Sequence, residues 1–441
     1  MDWKAVPGLR AEVSRRLADQ MGEARWDRAT QESEGRELIR KVLEEDTADA
    51  IARVGEIRSL ADQEALAQAV FDACFGLGRL QPLVDDDTVE NIMITGCDRV
   101  LVERADGTIW RADSVSDTDE ELVEFLGFLA ARADNPRSFT PSQPSLHLTL
   151  PGGARLAAAR DTARVSVVIR RHRVRQVTLD DMVTWGSLSR VMASFLRAAV
   201  KARLSIVVSG DQGAGKTTLL RALCAEIDPS ESIGTFESEF ELFLHEMPEQ
   251  HHSVHAWEVR EGSGERGADG RVAGSRTTAE QIVDSFRFNL RRQILGEIRG
   301  PEVWSMVKLM ESGSGSISTT HSASASQTMR KLITCAMEAG PQISQELAAT
   351  KLADTVDLVV HIACDVEAGP AGAIGRKHRY VEEILQVTPG ERPRGYATNV
   401  VFGRVPGESA VPHTRPDALM DALVAHGFDT EEFEFELGGR P

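Results

Sequence analysis

Eight consecutive residues, Gly210-Asp211-Gln212-Gly213-Ala214-Gly215-Lys216-Thr217, match the pattern G-x-x-x-x-G-K-[ST] in full. An apolar run, Leu204–Ser209, precedes them as a buried strand, and an amphipathic helix, Thr218–Ile227, follows. The glycines, Gly210, Gly213 and Gly215, let the chain curl so that successive backbone N–H groups, that of Ala214 among them, point at a β-phosphate. The helix N-terminus around Thr217 and Thr218 adds partial positive charge at the same spot. Lys216 reaches the β- and γ-phosphates as a point charge, and the Thr217 hydroxyl is a ligand for Mg²⁺. The ligands implied are ATP and Mg²⁺. A glycine-rich turn in an unrelated α/β fold is the competing reading, and the complete motif between strand and helix disfavours it.

A hydrolase built on such a loop also needs a carboxylate near Mg²⁺ and one that orients or deprotonates the attacking water. Glu237 ends the short run Gly234-Thr235-Phe236-Glu237, soon after the first helix. Glu297 ends the apolar run Gln293-Ile294-Leu295-Gly296-Glu297, ahead of Arg299 and a helix start at Pro301-Glu302. His321 lies in the small-residue strand Gly315–Ser322, placed to sense a γ-phosphate by a hydrogen bond when neutral or an ion pair when protonated. Taken singly, each has a plain alternative: a solvated glutamate at a strand end, or a structural histidine. Their order behind a full phosphate loop favours chemistry.

Positioning these groups takes a sheet. From the helix Leu188–Lys201 to about residue 405, strands alternate with helices, which predicts a mostly parallel sheet covered on both faces. Residues 188–405 are therefore expected to form the phosphate-loop domain, with 174–187 as a linker and 406–441 as a C-terminal tail. The Gly-rich, charged segment Glu261–Gly274 reads as a flexible loop. Residues 60–173 read as a small α+β domain: strands around Ile92–Ile94 and Val100–Val102, a helix near Asp119–Ala133, then LHLTL, RLAAA and VSVVIRR as further strands. Residues 1–57 carry scattered apolar positions among many charges. Helices are predicted near Gly8–Met21 and Ser33–Ile57, and a third, Asp62–Cys74, stops at Gly76 and Gly78. The charge of this segment suggests a mobile appendage rather than core.

Composition sets the frame. A chain of 441 residues holds two or three domains, and 41% hydrophobic with 27% charged residues is ordinary for a soluble globular protein. No run approaches the roughly 18 apolar residues of a membrane span, and the start, MDWKAVPGLRAEVSRR, lacks a signal-peptide core, so the cytoplasm is the expected compartment. The five scattered cysteines form no CxxC pair and read as buried free thiols. A net charge of −18 opposes a nucleic-acid platform and direct adsorption to an anionic bilayer. Membrane association is expected to run through a protein partner.

The succession of phosphate loop, acid strand, apolar-Gly-Glu strand and Ser/Thr/His strand resembles the secretion-ATPase superfamily, in particular its CpaF-like branch, which drives Tad pili and related type II and type IV secretion machines. The resemblance spans roughly residues 60–390. FGLGRLQPLVDDDTVENIMITGCDRVLVER is similar to the opening of the family's N-terminal domain, and LPGGARLAAA and VVIRRH are similar to its closing strands. LDDMVTWGSLS followed by FLRAAVKARLSIVVSG is similar to the start of its ATPase domain. The resemblance implies a RecA-like ATPase domain with a parallel-rich sheet, preceded by a small PAS-like α+β domain and N-terminal helices. It implies that Glu237, at the Asp-box glutamate, activates the water, and that Glu297, at the Walker-B glutamate, supports Mg²⁺ and the water. His321 takes the place of the His-box histidine. Arg155, Arg170 and Arg171 fall where the family brings arginines to the nucleotide phosphates on domain closure. An arginine there stabilises transition-state charge; Arg170 is the candidate for that role, although the basic run Arg170–Arg175 also reads as a solvated linker. A homo-hexamer working on an inner-membrane platform protein is implied as well. The sequence departs from the family pattern at Ser238 (usually Asp), along Phe286–Arg292 (usually an arginine-rich helix with a Pro-Asp step) and at Ser312-Gly313-Ser314 (where a histidine is missing). These departures keep open a nucleotide-binding scaffold with weakened catalysis. A nucleic-acid motor, the third reading, is opposed by the acidic balance and the lack of a basic–aromatic stripe.

Overall fold

The computed structural model describes residues 3–21, 26–53, 59–104, 108–133, 137–150, 152–171, 176–260, 274–311, 313, 315–368, 374–391 and 394–438. Chain contacts divide it into two units, Met1–Arg173 and Val174–Pro441. In the first unit the scattered apolar residues of the charged N-terminal segment fall at helical spacing: Val6, Leu9 and Val13 on α1 (Val6–Met21), and Leu38, Ile39, Val42 and Leu43 on α2 (Arg28–Arg53). They close on Leu66, Val70 and Phe75 of α3 (Leu60–Phe75) to make a separate small core. Gly35 of α2 is what lets the helices approach, because a Cβ there would sit 2.3 Å from the Phe75 ring. Arg16 ties α1 to α2 through Glu45 at 2.7 Å. The expectation of a mobile appendage is thus corrected: few apolar residues suffice when those on the facing sides of three helices are buried together.

The short α4 (Gln81–Asp85) leads into a six-stranded antiparallel sheet of β1 (Val89–Thr95), β2 (Arg99–Arg104), β3 (Ile109–Ala112), β4 (Ser145–Thr149), β5 (Arg155–Ala159) and β6 (Ser166–Arg170), in the order β3-β2-β1-β6-β5-β4. Alternate residues such as Ile92, Val102, Leu146, Leu156 and Val167 face one side, where Leu122, Leu126 and Ala130 of α5 (Asp119–Arg132) cover them. The N-terminal α+β domain read from the sequence is therefore present with its helix and strands in place.

The second unit opens with α6 (Leu179–Thr184) and α7 (Arg190–Lys201). Its nine-stranded sheet contains β7 (Ile206–Gly210), β8 (Ser232–Glu237), β9 (Ser253–Glu258), β10 (Arg292–Ile298), β11 (Ile317–His321), β12 (Leu358–Ala368), β13 (Ile374–Pro389), β14 (Tyr396–Val405) and β15 (Glu408–Pro412). The order is β15-β14-β13-β12-β7-β11-β10-β8-β9; all pairs from β12 to β9 are parallel, and β12 to β15 form an antiparallel meander. The interleaved helices are α8 (Lys216–Cys224), α9 (Thr278–Ser285), α10 (Glu302–Met310), α11 (Ala325–Met337) and α12 (Gln345–Thr355), followed by α13 (Asp417–Ala425) and α14 (Thr430–Gly438). Two apolar cores, one on each face, use Val208 and Val207 of β7 alternately, as a strand covered on both sides requires.

Three expectations change here. Residues 174–187 are not merely a linker, since Leu179 and Met182 of α6 are buried in the same core as β7. Residues 406–441 are not a tail: β15 extends the sheet, and Met420, Leu423, Phe428 and Phe433 join that core, with Phe195 and Phe402 packing edge-on against Phe428 and Phe433. The stretch Phe286–Arg292 is no helix. The helix α9 stops at Ser285, Asn289 turns the chain with φ 51°, and Arg292 enters β10 buried against Glu231 at 3.0 Å. Most of the loop Glu261–Gly274, the basic residues 172–175, and Ser312 and Ser314 lie outside the described residues.

Candidate active site

The phosphate loop caps β7, the strand at which the chain order reverses: its neighbours are β11 and β12, while the chain itself runs on to β8, three strands away. Ligands of open α/β sheets bind at such a switch point, beyond the carboxyl ends of the strands. At Gly210 a Cβ would lie 2.3 Å from the Ile362 carbonyl oxygen, so only glycine fits between β7 and β12. Gly213 and Gly215 have φ of 78° and 100°, the left-handed conformation that curls the loop, and Gly215 caps α8, which starts at Lys216 rather than Thr218. Ala214 is buried, and Thr217 and Thr218 lie half-buried in the first turn of that helix.

Lys216 is folded back over the loop. Its Nζ donates to the carbonyls of Gly210 (3.1 Å) and Asp211 (2.8 Å) and stands 3.0 Å from His321 Nδ1. The register of β11 opposite β7, with His321 beside Gly210, sets up that contact. Burial lowers the His321 pKa, and the Lys216 ammonium lowers it further. A neutral ring accepting from Lys216 at Nδ1 carries its proton on Nε2. That nitrogen lies 2.9 Å from Glu297 Oε1, within ion-pair distance but badly aligned for a hydrogen bond. The other oxygen of Glu297 pairs with Arg299 at 2.6 Å. Lys216, His321, Glu297 and Arg299 thus form one continuous chain of contacts.

The Thr217 hydroxyl donates to Glu241 Oε2 at 3.0 Å. Glu241 comes from the loop after β8, and Glu237 fixes that loop: its Oε2 accepts the backbone N–H groups of Glu241 (2.7 Å) and Leu242 (2.9 Å). Only 3% of Glu237 is exposed. Burial, helped by the nearby Glu241 carboxylate, pushes its pKa up to about 7 against the pull of those two amides. Because the folded chain holds this proton more tightly than the unfolded one, the group's contribution to stability is complete below the ordinary value of 4.5 and is lost as pH rises toward 7. Glu237→Gln is expected to flatten that slope, worth on the order of 2–3 kcal/mol. Thermal midpoints of both proteins between pH 5 and 8 check this; parallel curves would contradict it.

The structure brings together the loop, Lys216, Thr217, Glu237, Glu297 and His321. Arg155, Arg170 and Arg171 belong to the other unit. There Arg155 of β5 stands directly opposite Arg170 of β6, and Arg171 bonds the Asp86 carbonyl and reaches Asp87 at 3.2 Å. Glu241 and Arg379, which contacts the loop from β13, escaped the sequence reading. Glu241 was within reach of it: it stands four residues after Glu237 in the same acidic stretch, and only the fold-back of the loop is missing from the pattern. Thr217, Glu241 and Glu297 offer hard oxygen donors beside the phosphate cradle, a set that suits Mg²⁺. Among the described residues no cluster of three or more His, Cys, Asp or Glu is placed to hold a metal ion by itself.

A phosphate cradle on the central parallel strand, with carboxylates at its threonine and a neutral histidine at its lysine, defines a P-loop nucleotide hydrolase of RecA-like fold. The sequence model of the family described as "Type II/IV secretion system protein" matches residues 76–367. The type IV secretion system protein VirB11 of Brucella suis is 29% identical over 339 residues, covering 70% of this chain and 91% of the relative. The conjugal transfer protein TrbB of Rhizobium radiobacter is 28% identical over 71% of this chain and 88% of its own length. The solved structure of the B. suis VirB11 ATPase in complex with sulphate aligns over 73% of this chain and 96% of that one, at 27% identity and a TM-score of 0.35. With more than half of its length matched, the chain belongs to the type II/IV secretion system protein family, and within it the chain is an ATPase of secretion machinery. Among the described residues no helix is long and apolar enough to cross a membrane.

Proposed function

We propose that this chain hydrolyses Mg²⁺-bound ATP as a homo-hexameric motor of the CpaF-like branch, acting from the cytoplasmic side on an inner-membrane platform protein. The observation that carries the reading is the convergence of Lys216–His321–Glu297 and Thr217–Glu241 on one phosphate loop. Backbone amides of Gly213–Lys216 and the Lys216 ammonium bind the triphosphate tail. Thr217 with Glu241 or Glu297 would hold Mg²⁺, which when bound neutralises charge between the β- and γ-phosphates. Glu237, with a proton affinity near neutrality, is suited to take a proton from the attacking water. His321 keeps Lys216 oriented and is placed to register loss of the γ-phosphate. Arg155, Arg170 and Arg171 are offered as the groups that the N-terminal unit contributes to a neighbouring nucleotide. Motion between the two units then becomes the output of hydrolysis.

The test is direct. Purified protein is expected to release phosphate from ATP only with Mg²⁺, and to show six times the protomer mass by light scattering with a non-hydrolysable ATP analogue. A monomer that neither binds nor cleaves ATP would sink the proposal.

A further inference from the structure

Arg379 lies on β13, far in sequence from every motif of the site, yet its Nε donates to the Gly213 carbonyl at 3.0 Å. Its Cδ is 3.3 Å from where a Cβ on Gly215 would stand, so the side chain runs against the loop from Gly213 to Gly215. The backbone of Arg379 is held in turn. The buried Ser187 donates its hydroxyl to the Arg379 carbonyl at 2.7 Å, and the Val381 N–H donates to the Ser187 carbonyl at 2.9 Å. Ser187 directly follows α6 and the turn at Gly186 (φ 75°), in the segment that begins the ATPase unit.

A trans peptide points its C=O and the following N–H in opposite directions. Holding the Gly213 carbonyl therefore also fixes the direction of the Ala214 N–H, one of the amides of the phosphate loop. That N–H donates to the Asp211 carbonyl at 3.3 Å, a long bond that a phosphate oxygen could replace. We infer that Arg379 is a positioning residue for the phosphate loop, fixing the Gly213–Ala214 peptide and relaying to it the placement of the Ser187 segment. The relay consists of three hydrogen bonds and needs no contact between Arg379 and the reacting atoms. The inference deepens the ATPase reading and rests on it for its nucleotide consequences.

Two readouts on the full chain separate the two claims. Without nucleotide, hydrogen exchange measured by mass spectrometry is expected to quicken across residues 210–215 in Arg379→Ala, with the core strands unchanged. With MgATP, Arg379→Ala is expected to raise Kd and KM about tenfold while kcat changes much less, and Arg379→Lys to recover part of the loss. Ser187→Ala should shift KM in the same direction, and the double variant should be no worse than Arg379→Ala alone. Unchanged exchange and unchanged Kd in a folded Arg379→Ala protein would overturn the inference, as would effects of the two substitutions that simply multiply. If the parent chain binds no ATP while loop exchange still responds to Arg379, the nucleotide reading fails and the positioning role stands.

Discussion

Replacing Lys216 with methionine is expected to lower ATP turnover on the order of 10³-fold, about 4 kcal/mol of transition-state stabilisation. The ammonium is already buried, with carbonyls of Gly210 and Asp211 and the His321 ring as partners, so it reaches the transferred phosphoryl group by exchanging one of these partners rather than by shedding a water shell. A methionine keeps the apolar stem and loses all three contacts. One further consequence distinguishes this from general damage: the His321 pKa, held down partly by the lysine charge, should rise in the variant. Steady-state phosphate release and an NMR titration of His321 check the two parts. A variant with near-normal turnover, or a histidine whose titration does not move, would contradict this account of the pair.

Glu241→Gln should act differently. The backbone N–H of residue 241 stays on Glu237, so the loop keeps its course, but the charge beside the Thr217 hydroxyl is gone. The Mg²⁺ concentration giving half-maximal rate is expected to rise about 10–100-fold, with turnover at saturating Mg²⁺ reduced less. Glu246→Gln, an exposed carboxylate on the turn Leu244–Glu246, serves as the control for net charge. Identical Mg²⁺ dependence in the parent and Glu241→Gln would remove Glu241 from the ion's surroundings.

How much of this was legible in the sequence depends on how each residue is carried. Lys216 follows the central strand β7 across its loop, His321 ends the neighbouring β11, and Glu297 stands near the end of β10 one strand further on, so an ordered list of strand ends was enough to find them. Glu241 and Arg379 were not readable that way. Glu241 depends on a loop that doubles back through Phe243, held at φ 52°, a conformation that an aromatic residue does not announce. Arg379 depends on an antiparallel return, β13 against β12, where a parallel continuation was expected. The C-terminal helices were missed for a related reason. The last carries four glutamates in nine residues and anchors through Phe433, which packs beside Phe402 and Phe428. Helix α6, read as part of a linker, is held by a capping box of Thr178 and Asp181 whose short spacing alone did not distinguish it from a loop.

Gly296 sits on β10 with no side chain, and a methyl group there would come within 3.1 Å of Glu237 Cγ. The far end of that glutamate is pinned by two amides, so it has little room to yield. Crowding from β10 would pass along the glutamate as a push on the turn beyond it and end as a misplaced carboxylate at Thr217. The spacing of two neighbouring strands, set by one missing methyl, thereby calibrates the distance between a hydroxyl and an acid that neither strand carries.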